Sequence, residues 1–460
     1  MKKTIIYFAA VLMGFAGVAQ TTTNEKKEDG YKFTIVKELP VTPVKNQAKA
    51  GTCWDYAGTA FIEAELLRMG KGEYDLSEMF NAYNDYCDRA MASIRTHGDI
   101  SFSQGGCFGD LLHVMERYGL VPEEVMRPGV MYRDSLSNHS ELSAMTNPMV
   151  KAAAGSSSLQ SDSSYQLLCM KAIRAVHQVY LGVPPERFTY KGKSYTPLSF
   201  YESTGLKADD YIQVTAFLHE PLYKTFAVES PDNWRHDLSY NVTLDELMDI
   251  TDYAIAQGYP VGWDADVSEQ GFRLGNKKGF CVLPATNVDN NTLAVSDLAH
   301  WTGMTAKAIQ DEAADHPTPQ RWVTPEERQL GWDNHETNDD HLMLIYGTAK
   351  DQMGNEYYLV KNSWGNYNGE FKGMFFCSKA YFRYKTITIM IHKDALSKEM
   401  KKKAGDKIGF TGLWFDIRLI FYGLEEASVY ITRFAKSRNP REIYFSPRFL
   451  DFRRIGHFAG

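Results

Sequence analysis

Between Gln47 and Trp54 a glycine-containing loop, Gln47-Ala48-Lys49-Ala50-Gly51-Thr52-Cys53-Trp54, runs into an apolar helical repeat with a cysteine at the junction. Ala57, Phe61, Ala64 and Leu67 recur at three- and four-residue spacing, which predicts an amphipathic helix with Cys53 in its first turn. A helix N-terminus favours negative charge, so a thiol there is expected to lose its proton more readily than a free one. Upstream of it, the side-chain amide of Gln47 is placed to donate to an oxyanion forming beside the sulfur. One short segment therefore supplies a nucleophile and an oxyanion donor.

A thiol nucleophile needs a base, usually histidine, and that histidine needs an orienting acceptor. Of the 12 histidines, His341 opens the strand-like run Leu342-Met343-Leu344-Ile345-Tyr346-Gly347, which would hold its ring at a sheet edge. The next such run ends in Val360-Lys361-Asn362-Ser363-Trp364-Gly365, placing an Asn carbonyl to hold an imidazole and an indole to shield it from water. Ser103-Gln104-Gly105-Gly106 precedes another helical stretch, and two adjacent glycines let a ligand backbone approach closely. Helical periodicity at 53–67 and 76–89, followed by short apolar runs at 341–347, 357–361 and 374–377 broken by Gly, Asn and Asp, predicts an α+β fold. Residues 20–30 read as a solvated leader before the strand-like Tyr31–Leu39, and about 147–257 as a largely helical insertion.

In this order these elements resemble the papain-like cysteine peptidases. The residues that carry the chemistry in that family match Cys53 as nucleophile, His341 as base and Asn362 as its orienter, with Gln47 at the oxyanion; the substrate-pairing glycines match Gly105 and Gly106. Cys53 and His341 lie 288 positions apart, far beyond the roughly 130 of compact members. That excess, with Gly182-Val183-Pro184-Pro185-Glu186-Arg187-Phe188 and Pro260-Val261-Gly262-Trp263, resembles the bleomycin hydrolase and aminopeptidase C group over residues 31–406. The resemblance implies a two-part papain-like fold with a large helical insertion and cysteine-type peptidase activity. It also implies peptide substrates bound by their N-termini, held in that group by the chain's terminal carboxylate, and a homo-oligomer of hexameric type. No cofactor and no metal are implied. An endopeptidase with the same site, an acyl-transfer enzyme, and a silent papain-like scaffold are the rival readings. Residues 407–460, with twelve aromatics from position 408 onward, form an extension to which no chemistry is assigned.

Composition sets the remaining bounds. With 44% apolar and 13% aromatic residues, the chain has ample material for a large packed core. A net charge of −7 argues against nucleic acid as a partner, because that affinity depends on neutralising phosphates. The six cysteines contain no pair at metal-binding spacing. Lys2 and Lys3, an apolar run from Ile5 to Val18, and small residues up to Ala19 follow the order of a cleavable secretory signal. Residues 1–19 are therefore expected to be removed on export to the periplasm or medium, leaving no membrane span.

Overall fold

The structure, a computed structural model, describes residues 30–405 apart from 134, 157–162, 270, 273–278, 285–302 and 368–370. The expected signal, residues 20–29 of the leader and the extension after 406 lie outside the described residues. Strand β1 (Thr34–Glu38) leads to helices α1 (Cys53–Arg68), α2 (Glu78–Arg95) and α3 (Phe108–Arg117). Local chemistry sets where two of these begin: Ser77 Oγ accepts the Phe80 N–H of α2 at 3.1 Å, and Asp110 Oδ2 accepts the Cys107 N–H ahead of α3 at 2.8 Å. Helices α4 (Ser140–Ala154) and α5 (Ser163–Leu181) follow, then the hairpin β2 (Phe188–Tyr190) and β3 (Lys193–Tyr195) and helix α6 (Pro197–Thr204).

The middle of the chain differs from its sequence reading. Besides α5, α6 and helix α7 (Leu244–Ala256), it sends strands β4 (Tyr211–Thr215), β5 (Thr225–Ala227) and β6 (Leu238–Asn241) into the main sheet. All five residues of β4 are buried, although Ile212, Gln213, Val214 and Thr215 alternate apolar and polar. The sheet is completed by β7 (Val261–Ala265), β8 (Phe280–Cys281), β9 (His341–Lys350), β10 (Glu356–Lys361), β11 (Met374–Ser378) and β12 (Thr386–His392). Its order is β5-β6-β4-β12-β7-β9-β10-β11-β8. Strand β7 pairs with the first half of β9 and β1 with the second, both antiparallel.

Strand β9 is a wall between two cores. Leu342 and Leu344 join the core built on α1, α2 and α3, whereas Met343 and Ile345 join the core of α7 and the opposite face, as a two-residue period requires. Helix α1 is not amphipathic as its spacing suggested. Trp54 through Leu66 are all buried, because the helix is enclosed by other helices as well as by the sheet. Its polar residues are met inside: Asp55 Oδ1 accepts from Asn81 Nδ2 at 2.9 Å and Thr59 Oγ1 at 3.2 Å, and Glu63 accepts from Thr42 Oγ1 and the Leu76 N–H. Burial raises the Asp55 carboxyl well above the usual range, so it is not the charged first-turn acid that its position suggests. Among the described residues no helix is long and apolar enough to cross a membrane.

Candidate active site

Cys53 is the first residue of α1, where a backbone N–H has no acceptor within the helix. The loop before it is fixed from several sides. The Gly51 N–H donates to Gln104 Oε1 at 2.7 Å, Gln104 Nε2 donates to Ser143 Oγ of α4 at 2.7 Å, and Trp54 Nε1 donates to the Gln104 carbonyl at 3.0 Å. Gln104 thereby ties the nucleophile's loop to the loop carrying Gly105, a role its sequence context does not announce.

His341 opens β9 and is buried, as is Asn362 at the end of β10. Nε2 of His341 lies 2.8 Å from Asn362 Oδ1, which also accepts the Ser363 N–H at 2.7 Å. A backbone N–H can only donate, so this atom of Asn362 is the oxygen, and His341 donates to it from Nε2. Nδ1 is then unprotonated and free to take a proton. Trp364 stacks on the imidazole with centroids 4.7 Å apart, and Phe272 meets the indole edge-on. Gly365, at φ +65°, turns the chain after the tryptophan; a side chain there would also press on Asn46.

Gln47 is joined to the same loop. Its N–H donates to the Ser363 carbonyl at 2.8 Å, its Oε1 accepts from Ser363 Oγ at 2.6 Å, and its Nε2 donates to the Ala50 carbonyl at 2.8 Å. One hydrogen of the Gln47 amide is thus committed to orientation, leaving the second for a ligand oxygen. Ser363 connects the orienter of the histidine with the oxyanion donor. It stood inside the Asn-Ser-Trp-Gly signature, yet nothing in the sequence alone gave it this task.

Gln47, Cys53, Gly105, His341 and Trp364 line one cleft of about 590 Å³, together with Ser143 and Asn147 of α4 and the carboxylates Asp232 and Asp340. Gly106 is buried behind Gly105, where a side chain would meet Asp110 and Trp54. The two expected glycines therefore do different work: one faces the cleft and the other lets its wall pack.

The electrostatics correct the sequence expectation for the thiol. Burial pushes Cys53 up to about 12; the Leu342 N–H works against this, while Asp339, Asp264 and Asp232 add to it. Desolvation inside the fold outweighs the helix N-terminus, whose effect is at most about 2 kcal/mol. Burial likewise holds His341 down to about 4, with its bond to Asn362 opposing. Both directions keep the resting pair neutral, with the proton on sulfur. Chemically, such an arrangement can move that proton to His341 as the sulfur attacks and meet an oxyanion with Gln47 Nε2 and the Cys53 N–H.

A family model described as the Peptidase C1-like family matches residues 92–289 and 328–415, more than half of the chain. Aminopeptidase G of Lactobacillus delbrueckii subsp. lactis is 23% identical over 84% of this chain and 89% of its own length. Aminopeptidase C of Lactococcus lactis subsp. cremoris is 22% identical over 79% and 83%. Among solved structures, PepW of Lactobacillus rhamnosis superposes with a TM-score of 0.58, at 21% identity over 80% of this chain and 84% of that one.

Two expectations follow from the geometry. Ser363→Ala removes the bond that orients Gln47 and is expected to lower kcat about 10-fold, the equivalent of about 1.4 kcal/mol, with little change in KM; steady-state kinetics checks this. Because a base must be unprotonated and His341 is held down, the acid limb that abolishes turnover is expected near pH 4 rather than at the roughly 6.5 of a free imidazole. A pH profile of kcat/KM reads it directly.

Proposed function

Given that the chain belongs to the Peptidase C1-like family and is a papain-like cysteine peptidase, we propose that it removes residues from the N-termini of peptides through a thioester at Cys53. The observation that carries the chemistry is the shared cleft of Cys53 and His341, with the imidazole tautomer set by Asn362. The aminopeptidase mode is supported by the names of the relatives and by α4, whose Ser143 and Asn147 add a wall to the cleft.

In this reading Cys53 Sγ attacks the carbonyl carbon of the scissile bond while its proton passes to His341 Nδ1. The oxyanion is held by the free hydrogen of Gln47 Nε2 and the Cys53 N–H. Collapse of the tetrahedral adduct breaks the C–N bond, and His341 returns the proton to the leaving amine. Water then attacks the thioester with His341 again as base, releasing the acid and restoring the thiol. We further propose that residues 1–19 direct export and are removed, so that the mature chain starts at Gln20.

Hydrolysis of an aminoacyl fluorogenic amide under reducing conditions tests the reading. Activity is expected from the mature protein and a loss of at least about 10³-fold in Cys53→Ala; equal activity in that variant would end the thioester mechanism. Faster turnover of an N-blocked peptide would end the aminopeptidase mode in favour of endopeptidase action. The intact mass of exported protein is expected to correspond to a chain beginning at Gln20, and a retained Met1 would refute cleavage.

A further inference from the structure

A peptide cut at its first residue carries its α-ammonium two bonds from the carbonyl carbon that the sulfur attacks. A group that recognises this cation must therefore stand on the cleft wall beside Cys53. We propose that Asp232 is that group: its carboxylate holds the free α-ammonium of the substrate and sets the enzyme to N-terminal ends. The inference rests on the aminopeptidase reading and names the residue that would make it selective.

Asp232 lines the cleft with Cys53, His341 and Gly105. Its carboxylate occupies the space a side chain at Gly105 would need, so it lies directly against the glycine strip. One oxygen, Oδ1, faces Arg89 Nη2 at 3.6 Å, and that guanidinium is fully buried. Arg89 is itself held, donating from Nε to the Ser101 carbonyl at 2.8 Å, from Nη2 to the Pro231 carbonyl at 3.4 Å, and from Nη1 to the Gly105 carbonyl. The Asp232 N–H donates to Ser230 Oγ at 3.2 Å. The carboxylate thus lies beside Gly105 with both oxygens, held by the fixed Arg89 cation and with Ser103 bearing on it as well.

Asp232 and Cys53 line the same cleft. Asp232 is among the carboxylates whose charge raises the Cys53 thiol, so the two interact electrostatically across the cleft. Its side chain is 32% exposed, sheltered enough for a charge pair to count and open enough for a ligand to reach. The other charged residues of the cleft are committed or remote from the task. Asp340 accepts the Val267 N–H at 3.2 Å, and Lys49 is an exposed cation that repels an ammonium. Asp339 accepts from Ser230 Oγ and is not part of the cleft lining. An acetylated N-terminus would set an uncharged amide against Asp232 and leave the carboxylate unpaired, which is the kind of mismatch that produces strong discrimination.

The test compares an aminoacyl fluorogenic amide with its N-acetyl counterpart in wild type and in the isosteric Asp232→Asn. The ratio of kcat/KM, free amine over acetylated, is expected to fall at least 10-fold in the variant, chiefly through a raised KM for the free amine. A purely structural role lowers both substrates together; an unmoved ratio overturns the proposal. Should the wild type hydrolyse neither substrate, the peptidase reading fails separately, and binding decides the role of Asp232. Cys53→Ala protein is then titrated with a free-amine dipeptide amide and its acetylated form. Preference for the free amine that disappears in Cys53→Ala/Asp232→Asn supports the assignment, and equal binding of the two peptides by Cys53→Ala rejects it.

Discussion

The site depends on a short backbone exchange between residues 45–47 and 363–365. The Gln47 N–H donates to the Ser363 carbonyl and the Gly365 N–H to the Lys45 carbonyl, so segments more than 300 positions apart are held edge to edge. This clasp fixes three functional groups at once. It orients Gln47 ahead of Cys53, sets the loop that presents Asn362 to His341, and places Trp364 over the imidazole. Ser363 contributes twice, with its N–H on Asn362 and its hydroxyl on Gln47.

Buried charge anchors the clasp from behind. Lys45 Nζ lies within 3 Å of Asp75, Glu78 and Glu123 and 3.7 Å from Glu63. Burial works against its charge, but Glu78, Glu63 and Glu123 outweigh it and raise the pKa, so Lys45 stays ionised inside the protein. Lys361, at the end of β10, donates to Thr42 Oγ1 at 2.9 Å, which in turn donates to Glu63; burial there brings the ammonium down to about 8. The strand that carries Asn362 and the segment that carries Gln47 are therefore tied to one side chain of α1, Glu63. The nucleophile's helix thus serves also as the frame for its partners.

The chemistry was legible because it needs particular residue types at particular elements. A cysteine entering a helix, a histidine opening a strand and an Asn-Ser-Trp-Gly turn each leave a local mark, and the structure brings Cys53, His341, Asn362 and Gln47 to one place. Less legible was anything set by enclosure. The spacing of Ala57, Phe61, Ala64 and Leu67 reads as one apolar face, yet α1 is buried all round because small residues and internally bonded polar ones let neighbours close over it. Asp232 stood in no recognisable pattern: its place against Gly105 depends on Arg89 and Ser230, brought together only by the fold.

Sequence alone singled out Cys53, His341, Asn362 and Gln47 as candidates and gave the α+β class, since these follow from side-chain chemistry and local periodicity. Only the tertiary structure decided the protonation state in which those groups rest. A helix N-terminus by itself favours thiolate, but desolvation, with Asp339, Asp264 and Asp232 nearby, raises the Cys53 thiol, and burial lowers His341, so both shifts favour a neutral pair. Desolvation is a property of everything packed around a group, and no stretch of residues about Cys53 contains it.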